Sequence, residues 1–139
     1  MAVLARATAA ELESGWAALP TRPAYRLLRP AETGLTMIRA RAGGDGARFN
    51  LGEASITRCT LQTDAGRIGV AYVLGRNRRH AELAAVFDAL LQDPDTSGSV
   101  RETVVARIVV RLTAERDARS RKSASTRVDF YTLVRGENP

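Results

Sequence analysis

The sequence predicts an α+β fold in which an antiparallel sheet with hairpins precedes two main helices and a C-terminal strand ends the chain. Apolar and polar residues alternate from 35 to 74, and glycine-containing turns interrupt them, which indicates strands joined as hairpins. Apolar residues at helical spacing follow Asn77 and continue past residue 100. A last apolar run, 128–134, favours a strand near the C-terminus.

The length and the single cysteine limit the class of protein. With 139 residues the chain is predicted to form one domain, 1–139, because domains of about 100 to 150 residues can bury one core. Cys59 is the one cysteine, which excludes an internal disulfide and favours a reducing compartment, so we expect a cytoplasmic protein. The N-terminal segment carries Glu11 and Glu13 and no run approaches about 18 apolar residues, so neither a signal peptide nor membrane insertion is expected.

The first element predicted is a short helix over 8–19. Leu12, Trp16 and Leu19 lie at helical spacing, and Pro20 ends the helix.

A hairpin is predicted next. Apolar and basic residues alternate from 35 to 42, and the glycine-rich stretch 43–46 supplies the turn. The returning run, 48–63, is long for one strand, and Gly52 in its interior predicts a bulge or bend. Two shorter strands are the alternative.

The segment 67–74 predicts another strand, and we expect it to be central in the sheet. Small Gly69 and Ala71 fall on one face, which would let another element pack closely. Larger apolar residues fall on the other face: Ile68, Val70, Tyr72 and Leu74.

Two helices and a strand are predicted for the rest of the chain. Asn77 can cap the first helix, and Pro94 ends it. Its apolar stripe comprises Leu83, Val86, Phe87, Leu90 and Leu91. After the polar stretch 93–99, a second helix runs to about residue 122, with Val100, Val104, Ile108 and Leu112 on one stripe. Its second half has almost no apolar face and would need a partner to stay helical.

The C-terminal segment predicts an interface with a partner protein. Both faces of the run 128–134 are largely apolar, so something must cover it. Aromatic residues of this kind tend to anchor obligate interfaces. The candidate interface residues are Arg127, Val128, Asp129, Phe130, Tyr131 and Arg135.

The positive charge comes almost entirely from arginine. The formal charge is +6, and of the 21 Lys and Arg residues all but Lys122 are Arg. Guanidinium groups bind phosphate and carboxylate well at interfaces, whereas a codon bias toward Ala, Arg and Gly explains the same composition without any function. A basic nucleic-acid-binding domain is the alternative, but only 5% of the residues are aromatic and no recognised nucleic-acid-binding motif is present.

The cluster at 76–80 is the sharpest local candidate for a site. Arg76, Arg78, Arg79 and His80 lie where the predicted helix begins, so guanidinium groups and free backbone N–H donors would together suit an anion. His80 also lies three residues before Leu83, at the edge of the apolar stripe, where it would simply pack. Anion binding and an interface or structural role therefore both stay open.

The remaining candidates point away from catalysis in this chain. One histidine and one cysteine cannot build a zinc site or hold an iron–sulfur cluster, and no phosphate-binding loop or dinucleotide fingerprint is present. Cys59 is expected to be an ordinary half-buried thiol. Glu32 and Asp129 are expected to serve as a cap and an interface ion pair rather than as an acid/base pair. We predict no catalytic residue and no metal ligand, and a small stand-alone enzyme is the least favoured function.

Three segments resemble the PhnG family of the bacterial carbon–phosphorus lyase core complex, which takes phosphorus from alkylphosphonates. They are RPAETGLTMIRARAGGDGARFNLGEA at 29–54, GRNRRHAELAAVFDALLQ at 75–92 and RVDFYTLVRGEN at 127–138. Their order and spacing cover most of the chain.

The resemblance implies an accessory subunit with PhnH, PhnI and PhnJ as partners and PhnL and PhnK as associated ATP-binding-cassette-type proteins. With PhnH, PhnI and PhnL, the family is required to transfer ribose triphosphate from ATP to an alkylphosphonate. The product is α-D-ribose 1-methylphosphonate 5-triphosphate when the substrate is methylphosphonate. The resemblance implies no cofactor in this chain, since ATP is a substrate of the complex and the iron–sulfur cluster and S-adenosylmethionine belong to PhnJ.

Overall fold

The computed structural model describes residues 1–42 and 45–126, in two compact units. The first comprises Met1–Val109, and the second begins at Val110. Helices and strands both contribute, so the predicted α+β class is confirmed. After a 3-10 turn at Leu4–Arg6, the elements are α1 Ala9–Ala17, β1 Tyr25–Arg41, β2 Arg48–Thr63, β3 Ile68–Leu74, α2 Arg78–Leu90, α3 Pro94–Val100, a π-helical turn at Arg101–Val105, and α4 Ala106–Ser125.

The described strands form one antiparallel sheet in the order β1-β2-β3. The predicted hairpin is confirmed, but its first strand begins at Tyr25, earlier than the alternation had indicated. The second strand is continuous from Arg48 to Thr63 and not two shorter strands. The predicted irregularity at Gly52 is confirmed, because Ile38 pairs with Gly52 while Arg39 pairs with Asn50, so that one residue of β2 is left over as a bulge.

Among the strands that the structure describes, β3 is not central, contrary to expectation. In this part of the chain β3 pairs with β2 alone, and β2 is the middle strand, because two successive hairpins lay the strands side by side in chain order. The chain then leaves the edge of the sheet at Leu74 and returns across one face as α2.

Helix α2 covers one face of the sheet and forms the core with it. Cys59, Leu61, Ala71 and Val73 of the sheet are buried. The buried side chains of α2 are His80, Ala81, Leu83, Ala84, Ala85, Val86, Phe87, Ala89 and Leu90. The predicted close packing against Gly69 is confirmed, because a Cβ built there would lie 1.9 Å from the carbonyl oxygen of Ala85.

Helix α1 is shorter than predicted and covers part of α2. Thr8 caps it in a reciprocal capping box with Glu11, whose side chain accepts from the Thr8 backbone N–H. Leu12 is buried, and Gly15 lies against Val104 and Phe87.

The polar stretch 93–99 is helical, contrary to expectation. Asp93 caps α3 by accepting from the Asp95 N–H, and Pro94 occupies the first helical turn, where its missing N–H costs nothing. The proline that ends α2 therefore also begins α3. The predicted stripe of the second helix is confirmed at Val100, Val104 and Ile108, which are all buried.

From Val110 to Ser125, α4 exposes almost all of its side chains. Arg111 Nη1 lies 2.7 Å from Glu115 Oε1, one turn further along the helix. The predicted C-terminal strand at 127–135 lies outside the described residues.

Candidate functional site

The predicted cluster at 76–80 lies at the junction of β3 and α2. Gly75 makes this junction with φ +93°, a conformation that favours glycine. Its N–H donates to the Ser55 carbonyl at 2.8 Å, and its carbonyl accepts from the Thr57 hydroxyl at 2.7 Å. Asn77 then caps α2 by accepting from the His80 N–H at 2.9 Å, as predicted. The position of the cluster is therefore fixed by two hydrogen bonds between Gly75 and β2, one to the Ser55 backbone and one from the Thr57 side chain.

His80 faces the protein interior and is not available to a ligand. Its side chain is buried, and Nε2 lies 3.2 Å from the carbonyl oxygen of Leu4. A carbonyl can only accept, so Nε2 carries a proton and donates it. His80 thereby ties the N-terminal 3-10 turn to α2, which favours the structural interpretation of this residue.

Arg79 belongs to a chain of polar contacts between three elements. Its Nε lies 2.8 Å from Glu13 Oε1 in α1, and its Nη1 lies 3.5 Å from Glu82 Oε1 in α2. The Tyr25 hydroxyl of β1 donates to the same oxygen of Glu82. The hydrogen bond from Arg79 lowers the pKa of Glu13, while burial and then Glu82 raise the pKa of Tyr25. Arg79 therefore joins α1 to α2 and has little capacity left for an external anion.

Arg76 and Arg78 differ from their two neighbours because neither forms an ion pair within the described part of the chain. Both are exposed and line an open depression of about 460 Å³. Its other lining residues are Thr33, Gly34, Leu35 and Ser55. Arg76 Nε donates to the Ser55 hydroxyl at 3.3 Å. Two guanidinium groups without a carboxylate, beside two hydroxyls, form an arrangement that can hold a phosphate or a carboxylate.

Cys59 has the properties of a core thiol rather than a nucleophile. It is fully buried, more so than the half-buried position expected, and its Sγ lies 3.6 Å from the Arg29 carbonyl oxygen. Burial, followed by the charge of Glu82, raises the pKa of the thiol to about 11. The thiol therefore stays protonated at neutral pH, whereas a nucleophile needs a thiolate.

Glu32 forms ion pairs on the face of the sheet opposite α2. Its Oε1 lies 2.7 Å from Arg58 Nε and 3.9 Å from Arg29 Nε. All three side chains are about half exposed, so the group is an accessible surface network. Its proposed counterpart Asp129 lies outside the described residues.

The candidate interface residues at the C-terminus also lie outside the described residues. This holds for Arg127, Val128, Asp129, Phe130, Tyr131 and Arg135.

The structure adds an exposed apolar surface that sequence reasoning did not assign. On the face of β3 that points away from α2, Ile68, Tyr72 and Leu74 are all exposed, Leu74 by 72%. The alternation in 67–74 had separated these residues from Gly69 and Ala71 without showing which set the helix would cover. Large exposed apolar surfaces of this kind mark interaction sites.

Two further properties concern the described residues alone. Within 1–42 and 45–126, no three His, Cys, Asp or Glu side chains come together in a way that could hold a metal ion. None of the helices in these ranges is long and apolar enough to cross a membrane.

Comparison with known proteins gives one family and a close relative. Residues 1–136 match the family model described as phosphonate metabolism protein PhnG. A protein of Rhizobium meliloti (strain 1021) is 44% identical over 138 residues, which is 99% of this chain and 88% of that protein. That protein is named alpha-D-ribose 1-methylphosphonate 5-triphosphate synthase subunit PhnG.

Proposed function

This chain belongs to the PhnG family of phosphonate metabolism proteins, and from that membership we propose that it is a subunit of an α-D-ribose 1-methylphosphonate 5-triphosphate synthase. The observation that carries the proposal is the 44% identity to a subunit of that synthase over 99% of the chain. The three segments that resemble the family lie in β1 and β2, in α2, and at 127–138.

The proposed reaction is the transfer of ribose triphosphate from ATP to an alkylphosphonate, together with PhnH, PhnI and PhnL. The N-glycosidic bond of ATP breaks, a bond forms between C1 of the ribose and a phosphonate oxygen, and adenine leaves. PhnJ then cleaves the carbon–phosphorus bond, and PhnK is a further associated protein. The iron–sulfur cluster and S-adenosylmethionine belong to PhnJ, and the assembly works in the cytoplasm.

A supporting role for this chain agrees with the chemistry of its candidate residues. The Cys59 thiol is buried with a raised pKa, and His80 donates to a backbone carbonyl. Neither group is placed to attack a substrate or to transfer a proton to one. The catalytic groups of the synthase are therefore proposed to lie on its other subunits.

The function is tested by omitting this chain from the reconstituted synthase. With ATP and methylphosphonate, the complete set of subunits is expected to release adenine and form the ribose product, and the set without this chain is not. In cells, deletion of its gene is expected to stop growth on methylphosphonate and leave growth on inorganic phosphate unchanged. Full product formation without the chain would refute the proposal.

The two alternative functions, nucleic-acid binding and stand-alone catalysis, predict different experimental results. A nucleic-acid-binding domain would bind an oligonucleotide with an affinity that falls steeply as salt rises. A stand-alone enzyme would turn over substrate as the purified chain. Neither result is expected.

Arg76 and Arg78 are proposed to bind an anion of the working complex. Replacing both with Ala is expected to reduce growth on methylphosphonate while the complex still assembles, because both side chains are exposed and neither forms an ion pair within the described residues. The matched control, Arg116→Ala with Arg119→Ala, removes the same charge from the exposed part of α4. Normal growth of the Arg76 and Arg78 variant would exclude anion binding, and loss of assembly would indicate interface contacts instead.

The proposed partner interface at the C-terminus, which rests on the apolar run 128–134, still comprises Arg127, Val128, Asp129, Phe130, Tyr131 and Arg135. A chain ending at Thr126 is expected to fail to co-elute with the other subunits on size exclusion. Stoichiometric assembly of the shortened chain would show that the anchor lies elsewhere.

A further inference from the structure

Within residues 1–42 and 45–126, no other element pairs with or covers the part of β1 and β2 that lies beyond the third strand. β3 ends where Leu74 pairs with Ile56, and the first two strands continue from the pair Gly34 and Ile56 to the pair Arg41 and Arg48. We call these two segments, Gly34–Arg41 and Arg48–Ile56, the arm. At about 3.3 Å per residue, its eight residues on β1 extend roughly 26 Å. A two-stranded ribbon by itself is only marginally stable in water.

The arm exposes large apolar side chains on both of its faces. Alternation along β1 and the register with β2 put Leu35 and Met37 on one face, and Ile38 and Phe49 on the other. Leu35 is 64% exposed and Met37 50%, and Leu51 at the bulge is 62% exposed. A solvated ribbon would carry polar residues on at least one face. Apolar residues on both faces are typical of a strand pair that is enclosed by protein on both sides.

The arm also carries three arginines on one face, where Glu53, the partner of Met37, is the one carboxylate within the two arm segments. Arg41 pairs directly with Arg48 across the strands, and Arg39 lies two residues before Arg41 on the same face. Like charges in such positions destabilise a strand pair. Among the described residues none of the three forms an ion pair, and Arg41 reaches only the Gly46 carbonyl, at 3.5 Å. The three arginines on this face outnumber its one carboxylate, so the face carries excess positive charge that further carboxylates would stabilise.

A second copy of this chain does not supply such carboxylates through its arm or through the open face of its sheet. The arm contributes Glu53 as its one carboxylate against three arginines. The open face of the sheet sets Glu32 against Arg29 and Arg58. Packing an arm against either surface of another copy would therefore bring positive charge to positive charge.

We propose that the arm inserts into a groove on a different protein chain, and that this groove is lined by apolar side chains and presents carboxylates to Arg39, Arg41 and Arg48. The proposal rests on the proposed function, since it requires this chain to work inside an assembly. The arm anchors the chain, with its apolar residues supplying affinity and its arginines fixing the orientation.

The test compares arm variants with matched controls in the co-expressed synthase assembly. Leu35→Ser with Leu51→Ser removes two exposed apolar side chains, and Val109→Ser with Val110→Ser, whose side chains are also exposed, is the control. Arm variants are expected to weaken the affinity of the chain for the other subunits by roughly 100-fold and the control by less than about 2-fold, because each buried Leu contributes about a tenfold or greater factor to affinity. The affinity is measured by co-elution at decreasing protein concentration. If both variants assemble equally well, the arm does not anchor the chain, but the proposed role as a subunit is unaffected.

The charge component has its own variant and control. Arg39→Glu with Arg41→Glu and Arg48→Glu is expected to abolish assembly. The control, Arg116→Glu with Arg119→Glu and Arg121→Glu in α4, makes the same change of net charge and is expected to assemble. Assembly of the arm variant at the wild-type level would exclude an acidic groove.

A measurement on the unaltered complex covers the case in which a variant fails to fold. Peroxide oxidation of Met37 is expected to be at least about 10-fold slower in the assembled complex than in the urea-unfolded chain, because insertion removes its side chain from solvent. Oxidation at the unfolded rate would overturn the proposal. Two other results would also overturn it. If the chain forms a homodimer that the arm variants dissociate, the arm binds a second copy of this chain and not a different protein. If the wild-type chain joins no assembly, both the subunit role and the anchoring role of the arm are refuted.

Discussion

Replacement of Gly69 by Ala tests the packing of α2 on the sheet. The added Cβ would lie 1.9 Å from the Ala85 carbonyl oxygen, 2.9 Å from its carbonyl carbon and 3.0 Å from the Ala89 Cβ. Ordinary contact begins near 3.4 Å, so the helix has to move away by about 1.5 Å. The obstacle is the helix backbone, which cannot rotate away as a side chain can. Overpacking of a core costs typically about 1 to 3 kcal/mol, and a backbone clash of this depth lies at or above the upper end.

The assay is thermal unfolding of the purified chain followed by circular dichroism. A loss of about 3 kcal/mol is expected to lower Tm by roughly 12 °C in a chain of this length. Gly34→Ala is the matched control in the same sheet, because no atom lies within 4 Å of a Cβ built there. Its Tm is expected to change by less than about 2 °C. A Gly69→Ala variant that melts within about 2 °C of this control would refute the proposed closeness of α2 to β3.

Two further predictions concern buried groups of the candidate site. The Cys59 thiol has a pKa of about 11 in the folded chain, so the free energy of unfolding is expected to fall between about pH 8.5 and 11, where the unfolded chain loses the thiol proton first. The expected loss of unfolding free energy is on the order of 3 kcal/mol. Urea unfolding of wild type and of Cys59→Ala at several pH values measures how steeply the free energy of unfolding falls with pH in each. The same slope in both proteins would contradict the prediction. His80→Ala removes the donor to the Leu4 carbonyl and is expected to cost about 1 to 3 kcal/mol in the same assay, against about 0.5 kcal/mol or less for Arg78→Ala on the exposed side of the same helix turn. Equal costs for these two variants would show that His80 is not held as the structure describes.

The location of the candidate site was predictable from the sequence, but the separate roles of its residues were not. Asn77 as a cap and the arginines after it are local signals, and both are found where they were expected. Successive helical residues point in directions about 100° apart, so neighbours in the chain face different surroundings. His80 consequently faces Leu4, Arg79 faces Glu13, and Arg78 lines the open depression. Leu4 and Glu13 are distant in sequence from α2, and nothing in the local pattern indicates that they meet it.

The errors in the predicted fold have the same origin. Whether a strand is central or at an edge depends on which strands pair with it, and β3 has an apolar composition that suits either position. The polar stretch 93–99 contains proline and glycine, which commonly mark a loop. Asp93 and Pro94 together make it a helix start, and Val100 then packs into the core.

The sequence by itself determined the family, the type of most elements and the two faces of each strand, because side-chain period and turn chemistry are local properties. Only the tertiary structure decided which face is covered. In β3 the small face, with Gly69 and Ala71, lies under α2, and the large face, with Ile68, Tyr72 and Leu74, is open. The reason is steric: the alanine-rich side of α2 can approach β3 at Gly69, which has no side chain, until backbone nearly touches backbone, and a larger residue there would hold the helix away. The larger apolar side chains are thereby left uncovered by the other described elements.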